Sequence, residues 1–155
     1  MIGLLQRVLS ASVTIDGHVV GAVGRGLLVL VGVQRGDSER EADRLLERVL
    51  TYRVFPDGEE RMNRSLQDID GGLLLVSQFT LAADTRKGTR PGFSPAAEPE
   101  LGRRLFEYIK TKARERHSTV ESGVFGANMQ VALTNDGPVT FWLEVTPHTA
   151  GEDLS

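Results

Sequence analysis

The sequence predicts an α+β fold, and three observations carry that reading. Short stretches near both ends alternate apolar and polar residues or run apolar throughout. Two longer segments repeat apolar residues at helical spacing. Turns bearing Gly or Pro separate them. The chain has 155 residues, 40% of them hydrophobic and 25% charged, which is ordinary for a globular protein and enough to bury a substantial core. No internal repeat or linker divides it. We expect one domain over residues 1–145 and a polar, loosely ordered tail over 146–155.

The strands come first. Ala11–Ile15 alternates, Asp16-Gly17 intervenes, and His18–Val23 follows. A two-residue Asp-Gly between alternating runs predicts a hairpin, because a type I′ turn needs positive φ at both central positions. Gly26–Val33 is apolar on both faces and belongs at the centre of the core. After Gly36-Asp37, Ser38 and Glu41 form a capping box, and Ala42, Leu45, Leu46, Val49 and Leu50 mark the buried stripe of a first helix. Tyr52–Phe55 reads as strand and Pro56-Asp57-Gly58 as turn. Asp70-Gly71-Gly72 is a second turn, and Leu73–Leu81 a largely apolar strand. Asp84–Phe93 is a long polar loop, a length that favours function. Pro95–Glu100 opens a second helix with the stripe Leu101, Leu105, Tyr108, Ile109 and Ala113. Asn128–Thr134 and Val139–Val145 read as strands joined by a turn at Asn135–Pro138.

Composition excludes several chemistries. Without cysteine there is no disulfide, thiolate nucleophile or zinc-thiolate site. The three histidines, His18, His117 and His148, have no ligand spacing and read as surface residues, and no cluster of His, Asp and Glu suggests a metal. No metal or cofactor is expected. There is no Gly-x-Ser-x-Gly elbow for a Ser-His-acid triad. The glycines of Gly21–Gly26 lead into a strand rather than a helix, so they form turns and not a phosphate cradle. The longest apolar run, Leu27–Val31, is too short to cross a bilayer, and Met1 leads into no secretory signal, so a cytoplasmic protein without a membrane partner is expected.

Two segments carry the candidate chemistry. Ser77, Gln78 and Thr80 place polar groups at the end of an apolar strand, just before the long loop. Either they cap the sheet locally or they line a pocket, with Gln78 and Thr80 toward a substrate. Asn135–Pro138 has the composition of a β-turn, but a Pro after Gly also permits a cis bond that would turn its carbonyl oxygens in an unusual direction, and bare carbonyl oxygens are good acceptors for an ammonium group.

The formal net charge of −3 argues at first sight against nucleic acid. Between Arg86 and Arg116, however, nine basic residues meet four acidic ones, a local charge of +5, against −8 on the remainder. Such a patch can steer a phosphate backbone despite the overall sign. It could equally be an ordinary helix surface over Lys110–Arg116, a reading that is weaker for Arg86, Lys87 and Arg90 beside the suspected pocket.

Taken together, Gln6-Arg7-Val8 with Ala11-Ser-Val, Gly26–Val33, Met62-Asn63 with Ser65-Leu66, Ser77-Gln-Phe-Thr-Leu81, Arg90-Pro-Gly-Phe93, Gly123-Val-Phe-Gly-Ala127 with Met129, and Asn135-Asp-Gly-Pro-Val-Thr140 resemble the D-aminoacyl-tRNA deacylases of the bacterial and eukaryotic type. The resemblance runs from Met1 to about Val145, with Asn128 standing where many members have an acidic residue.

It implies a β-barrel-like, mostly antiparallel sheet with two main helices packed outside. It also implies a homodimer with active sites at the subunit interface and no DNA partner. The implied activity is hydrolysis of the ester of D-aminoacyl-tRNA, or of glycyl-tRNA mischarged on tRNA-Ala, as translational proofreading. Gly137-Pro138 would be cis, reach into the partner's pocket, receive the substrate ammonium and crowd out an L side chain, with Arg7 bracing that loop. Ser77, Gln78, Phe79 and Thr80 would form the catalytic segment, Phe125, Ala127 and Met129 further substrate contacts, and Arg86, Lys87 and Arg90 the tRNA contacts. Thr80 would be the nucleophile, or the terminal 2′-hydroxyl would activate water while N–H groups near Phe79 and Thr80 hold the oxyanion. No base for Thr80 is evident, which favours the second route. A non-catalytic tRNA-binding module and an esterase or amidase of free D-amino-acid derivatives are the rival readings.

Overall fold

The computed structural model describes residues 1–147. Strand β1 (Ile2–Ile15) turns through Asp16 and Gly17, both at positive φ, into β2 (His18–Val23), so the expected hairpin forms with Ile15 opposite His18. Strand β3 (Gly26–Gly32) pairs antiparallel with the first half of β1 and is buried on both faces but for Leu30. Helix α1 (Glu39–Thr51) follows with its Ser38–Glu41 capping box intact. Next come the short strands β4 (Phe55–Pro56) and β5 (Met62–Arg64), helix α2 (Leu66–Ile69) and β6 (Gly72–Ser77). After a 3₁₀ turn (Phe79–Ala82) the chain runs through α3 (Pro99–Arg116), β7 (Val120–Ser122) and β8 (Gln130–Glu144).

The main sheet runs β2-β1-β3-β6-β7, with β8 along the other edge of β1. The three pairings of β1 are antiparallel, whereas β3–β6 and β6–β7 are parallel. The path bends until β2 lies against β7: a Cβ on Gly21 would stand 2.9 Å from the Ser122 carbonyl oxygen, so glycine permits the near closure. The sheet is therefore barrel-like, as expected. Val8, Ala11, Val13, Leu28, Leu74 and Val76 fill its interior. Their alternating neighbours Leu27, Val29, Leu73 and Leu75 pack outward on α1 and α3, which gives the double-sided burial read from the apolar runs.

Several expectations need correction. The two C-terminal strands are one, β8, paired with β1 on both sides of residues 136–139, and Asn135–Pro138 is no hairpin turn. Thr140 lies opposite Gln6 and Asn135 opposite Val8, so the residues between bulge out of a continuous ladder. A turn composition cannot separate the two cases, because both flanks happen to prefer the same partner. The strand expected to reach Leu81 stops at Ser77. Gly32 leaves room for the 3₁₀ turn beyond it, since a Cβ there would sit 2.9 Å from Leu81 Cβ. The Tyr52–Phe55 strand shrinks to Phe55–Pro56. His117 is not a surface residue: it ends α3 and is buried, its Nε2 2.5 Å from the Gly71 carbonyl oxygen. Thr146 and Pro147 carry no regular structure, and the remainder of the expected tail, with His148, lies outside the described residues.

The buried Asp37 carboxylate ties the start of β1 to the β3–α1 connection. It takes the Met1 ammonium at 2.9 Å and the Gln34 N–H at 2.7 Å, in a site whose burial pushes its pKa up. Asp37→Ala strands a buried cation. The loss expected in chemical denaturation is about 3–5 kcal/mol; a loss under about 1 kcal/mol would show the pair to be dispensable.

Candidate active site

A cavity of about 460 Å³ opens where β3 and β6 end, roofed by the first turns of α3 and by the segment between β7 and β8. Ser77, Gln78 and Phe79 line it from the strand end, and Phe125, Ala127 and Met129 from the opposite wall, so six of the residues picked from sequence come together here. Glycines set the wall. A Cβ on Gly102 would stand 3.3 Å from the Phe125 ring, and one on Gly123 would overlap Met129 Sδ at 2.5 Å. The lining is otherwise apolar, and none of its residues carries an ionisable side chain.

The polar groups at the strand end are fixed. Gln78 N–H donates to the Val31 carbonyl at 2.8 Å. Gln78 Nε2 donates to Thr80 Oγ1 at 2.5 Å. An amide donor occupies a lone pair of that hydroxyl and cannot accept its proton, so it is no general base. Thr80 is exposed and lies beside, not in, the cavity lining. Among the described residues, the N–H groups of Phe79 and Thr80 have no acceptor.

The Gly137-Pro138 loop is elsewhere. Its peptide is cis, both residues are exposed, and neither they nor Arg7 line the cavity. Arg7 reaches it from β1: Nε donates to the Asp136 carbonyl at 2.9 Å, and Nη1 to the Val54 carbonyl at 2.7 Å. Asn135, read from sequence only as part of the Asn135–Pro138 segment and with no role of its own, closes the base of the bulge. Its Oδ1 accepts from Val139 N–H at 2.6 Å, and its Nδ2 donates to Thr140 Oγ1 at 2.9 Å. The tendency of Asn side chains to bond backbone a few residues on was the available signal.

Arg86, Lys87 and Arg90 line a second, open cleft of about 600 Å³ with Asp84, Gly92 and Ser94. Arg86 is already engaged: Nε and Nη2 bond the two Asp84 carboxylate oxygens at 2.9 and 2.8 Å. The hydrogen bond from Arg86 is the main cause that holds Asp84 down at about 2. A depressed carboxylate contributes above its ordinary pKa near 3.8 and ceases to as pH falls through about 2, so the pair is intact throughout the neutral range. Asp84→Asn should free Arg86 for an anion and, for a nucleic-acid ligand, steepen the fall of log affinity with log salt by about 0.7–0.9. An unchanged slope would show that Arg86 meets no phosphate.

Fold and site define a compact barrel-like α+β protein with an apolar ligand pocket whose polar groups are a hydroxyl, an amide and backbone N–H groups. The family model described as D-Tyr-tRNA(Tyr) deacylase matches residues 4–144. A D-aminoacyl-tRNA deacylase of Alkalilimnicola ehrlichii is 65% identical over 150 residues, covering 97% of this chain and all of that one. A solved structure named as a c-Myc DNA unwinding element binding protein superposes with a TM-score of 0.91 at 36% identity, over 95% of this chain and all of the other. A probable eukaryotic D-amino acid tRNA deacylase shares the fold at a TM-score of 0.79 and 18% identity, over 93% of this chain and 98% of that one. The chain belongs to the D-aminoacyl-tRNA deacylase family, and is as such a hydrolase. No three His, Asp or Glu side chains gather among the described residues, nor is any helix there long and apolar enough to cross a membrane.

Proposed function

We propose that this enzyme hydrolyses the ester between a D-amino acid and the 3′-terminal ribose of tRNA, with the substrate's own 2′-hydroxyl assisting the attacking water. The observation that carries this reading is a pocket of ligand size with no ionisable side chain in its lining. The reaction must then draw on backbone and substrate groups. The free Phe79 and Thr80 N–H groups hold the developing oxyanion, an effect of roughly 3–4 kcal/mol per donor. Ser77 and Gln78 position the ester. Phe125, Ala127 and Met129 hold the terminal nucleoside, and Lys87 and Arg90, with Arg86 if Asp84 releases it, meet the phosphates of the 3′ strand that leads to it.

Selection falls to Gly137-Pro138. The loop is held outward by Arg7 and Asn135, away from its own chain's cavity. It acts in the pocket of a second copy, where its carbonyl oxygens receive the substrate ammonium and crowd the position of an L side chain. Selectivity by crowding leaves glycine unexcluded, so glycyl-tRNA mischarged on tRNA-Ala is also a substrate. The surface for dimerisation is β8, which carries this loop and exposes Leu133, Phe141 and Trp142, the last 51% exposed.

Incubation with D-Tyr-tRNA, L-Tyr-tRNA and a free D-Tyr ester tests the activity. Only the first should be consumed. Binding of tRNA without hydrolysis would make the protein a carrier, and loss of the free ester would make it a general D-esterase.

A further inference from the structure

Between the cavity and the basic cleft stands a pair of exposed aromatic rings. Phe79 is 59% and Phe93 42% exposed, with centroids 5.2 Å apart and planes inclined at 51°. Phe79 lines the cavity, and Phe93 sits between Gly92 and Ser94, which line the cleft together with Lys87 and Arg90. The 3₁₀ turn anchors the first ring. The bonds between Asp84 and Gly92, 2.7 and 2.9 Å, close the loop that presents the second. Lys87 and Arg90 have no carboxylate partner among the described residues. Two large rings left at the surface, beside unpaired cations and next to a substrate pocket, are the elements of a single-stranded nucleic-acid site: flat apolar faces for bases and cations for the backbone.

We propose that Phe93, backed by Phe79, stacks the base of the nucleotide immediately 5′ of the aminoacylated one, while its phosphate passes over Lys87 and Arg90. The proposal rests on the reading of the cavity as the site of the terminal nucleoside. Continuity decides the occupant. A strand whose last nucleoside fills the cavity must leave across Phe79 to reach the cations, and the rings lie on that path.

The test compares Phe93→Ala, Phe93→Leu and Phe93→Trp on two substrates, D-aminoacyl-tRNA and D-aminoacyl-adenosine, which has no penultimate nucleotide. Phe93→Ala and Phe93→Leu should raise KM for the tRNA roughly 5- to 100-fold, with kcat little changed. Both should leave the adenosine ester unaffected, and Phe93→Trp should restore the wild-type KM. A tRNA with an abasic penultimate site should cost the wild type the same factor and the Phe93→Ala variant nothing more. Independent, additive losses would overturn the proposal. So would equal losses on both substrates, or a changed sedimentation coefficient, which would place the rings in structural support or at a contact between copies. A wild type inactive on D-aminoacyl-tRNA would instead overturn the enzymatic reading itself.

Discussion

Thr80→Ala should retain activity within about tenfold of wild type, whereas a D-aminoacyl-tRNA ending in 2′-deoxyadenosine should be hydrolysed roughly 10²- to 10⁴-fold more slowly, the range of general acid–base assistance. The contrast follows from the environment of the hydroxyl. Thr80 Oγ1 accepts a hydrogen bond from Gln78 and faces no base, and no ionisable side chain lines the cavity. An alcohol in that setting is a weak nucleophile. The N–H groups at Phe79 and Thr80 belong to the backbone and survive the substitution. Pre-steady-state kinetics with both substrates separates the routes. A Thr80→Ala variant that binds but does not turn over would restore Thr80 as nucleophile.

Gly137→Ala should collapse the preference for D over L substrates by at least about tenfold in the ratio of kcat/KM, a difference of about 1.4 kcal/mol. Gly137 has φ near +141°, and an added Cβ would lie 2.6 Å from Val139 Cγ2 and 3.0 Å from the Val139 nitrogen. The loop must shift, and its carbonyl oxygens with it. Arg7→Ala should act in the same direction by another route, because it removes both the bond to the Asp136 carbonyl and the anchor on Val54. Its side chain is only 12% exposed, so the two carbonyls it leaves are incompletely hydrated, at about 1–3 kcal/mol each. Parallel assays on D- and L-Tyr-tRNA, with thermal unfolding as a control for stability, measure both. Unchanged ratios in two folded variants would remove the loop from chiral selection.

Much of this was legible in the residues, and the limits have physical causes. The Asp16-Gly17 hairpin and the Ser38–Glu41 cap are local: turn φ and side-chain reach determine them within four residues, and both formed as expected. Apolar runs identified β3 and β6 because both faces of each are covered. The failures were non-local. Whether Asn135–Pro138 joins two paired strands or bulges from one depends on β1, over 120 residues away in sequence. The burial of His117 depends on the Gly71 carbonyl. Helix α2 could have been found, since Ser65 and Asp68 form a reciprocal cap like that of α1. In the site, Ser77–Phe79 and the Phe125–Met129 wall line one cavity, while Arg86 proves to be tied to Asp84, two residues before the basic segment counted from sequence.

The proposal that each site combines the cavity of one chain with the loop of another can be tested by subunit complementation. One chain carries Gly137→Trp, whose bulk on the loop should close the partner's pocket to substrate while leaving its own cavity intact; another carries Ala127→Trp, which fills the cavity and leaves its loop intact, so that neither is expected to turn over alone. Unfolded together and refolded at equal amounts, half of the dimers are mixed, and each holds one site built from two unmodified elements. D-Tyr-tRNA deacylation should return to about a quarter of the wild-type rate. If loop and cavity served each other within one chain, every site in the mixture would carry a defect and no activity would return.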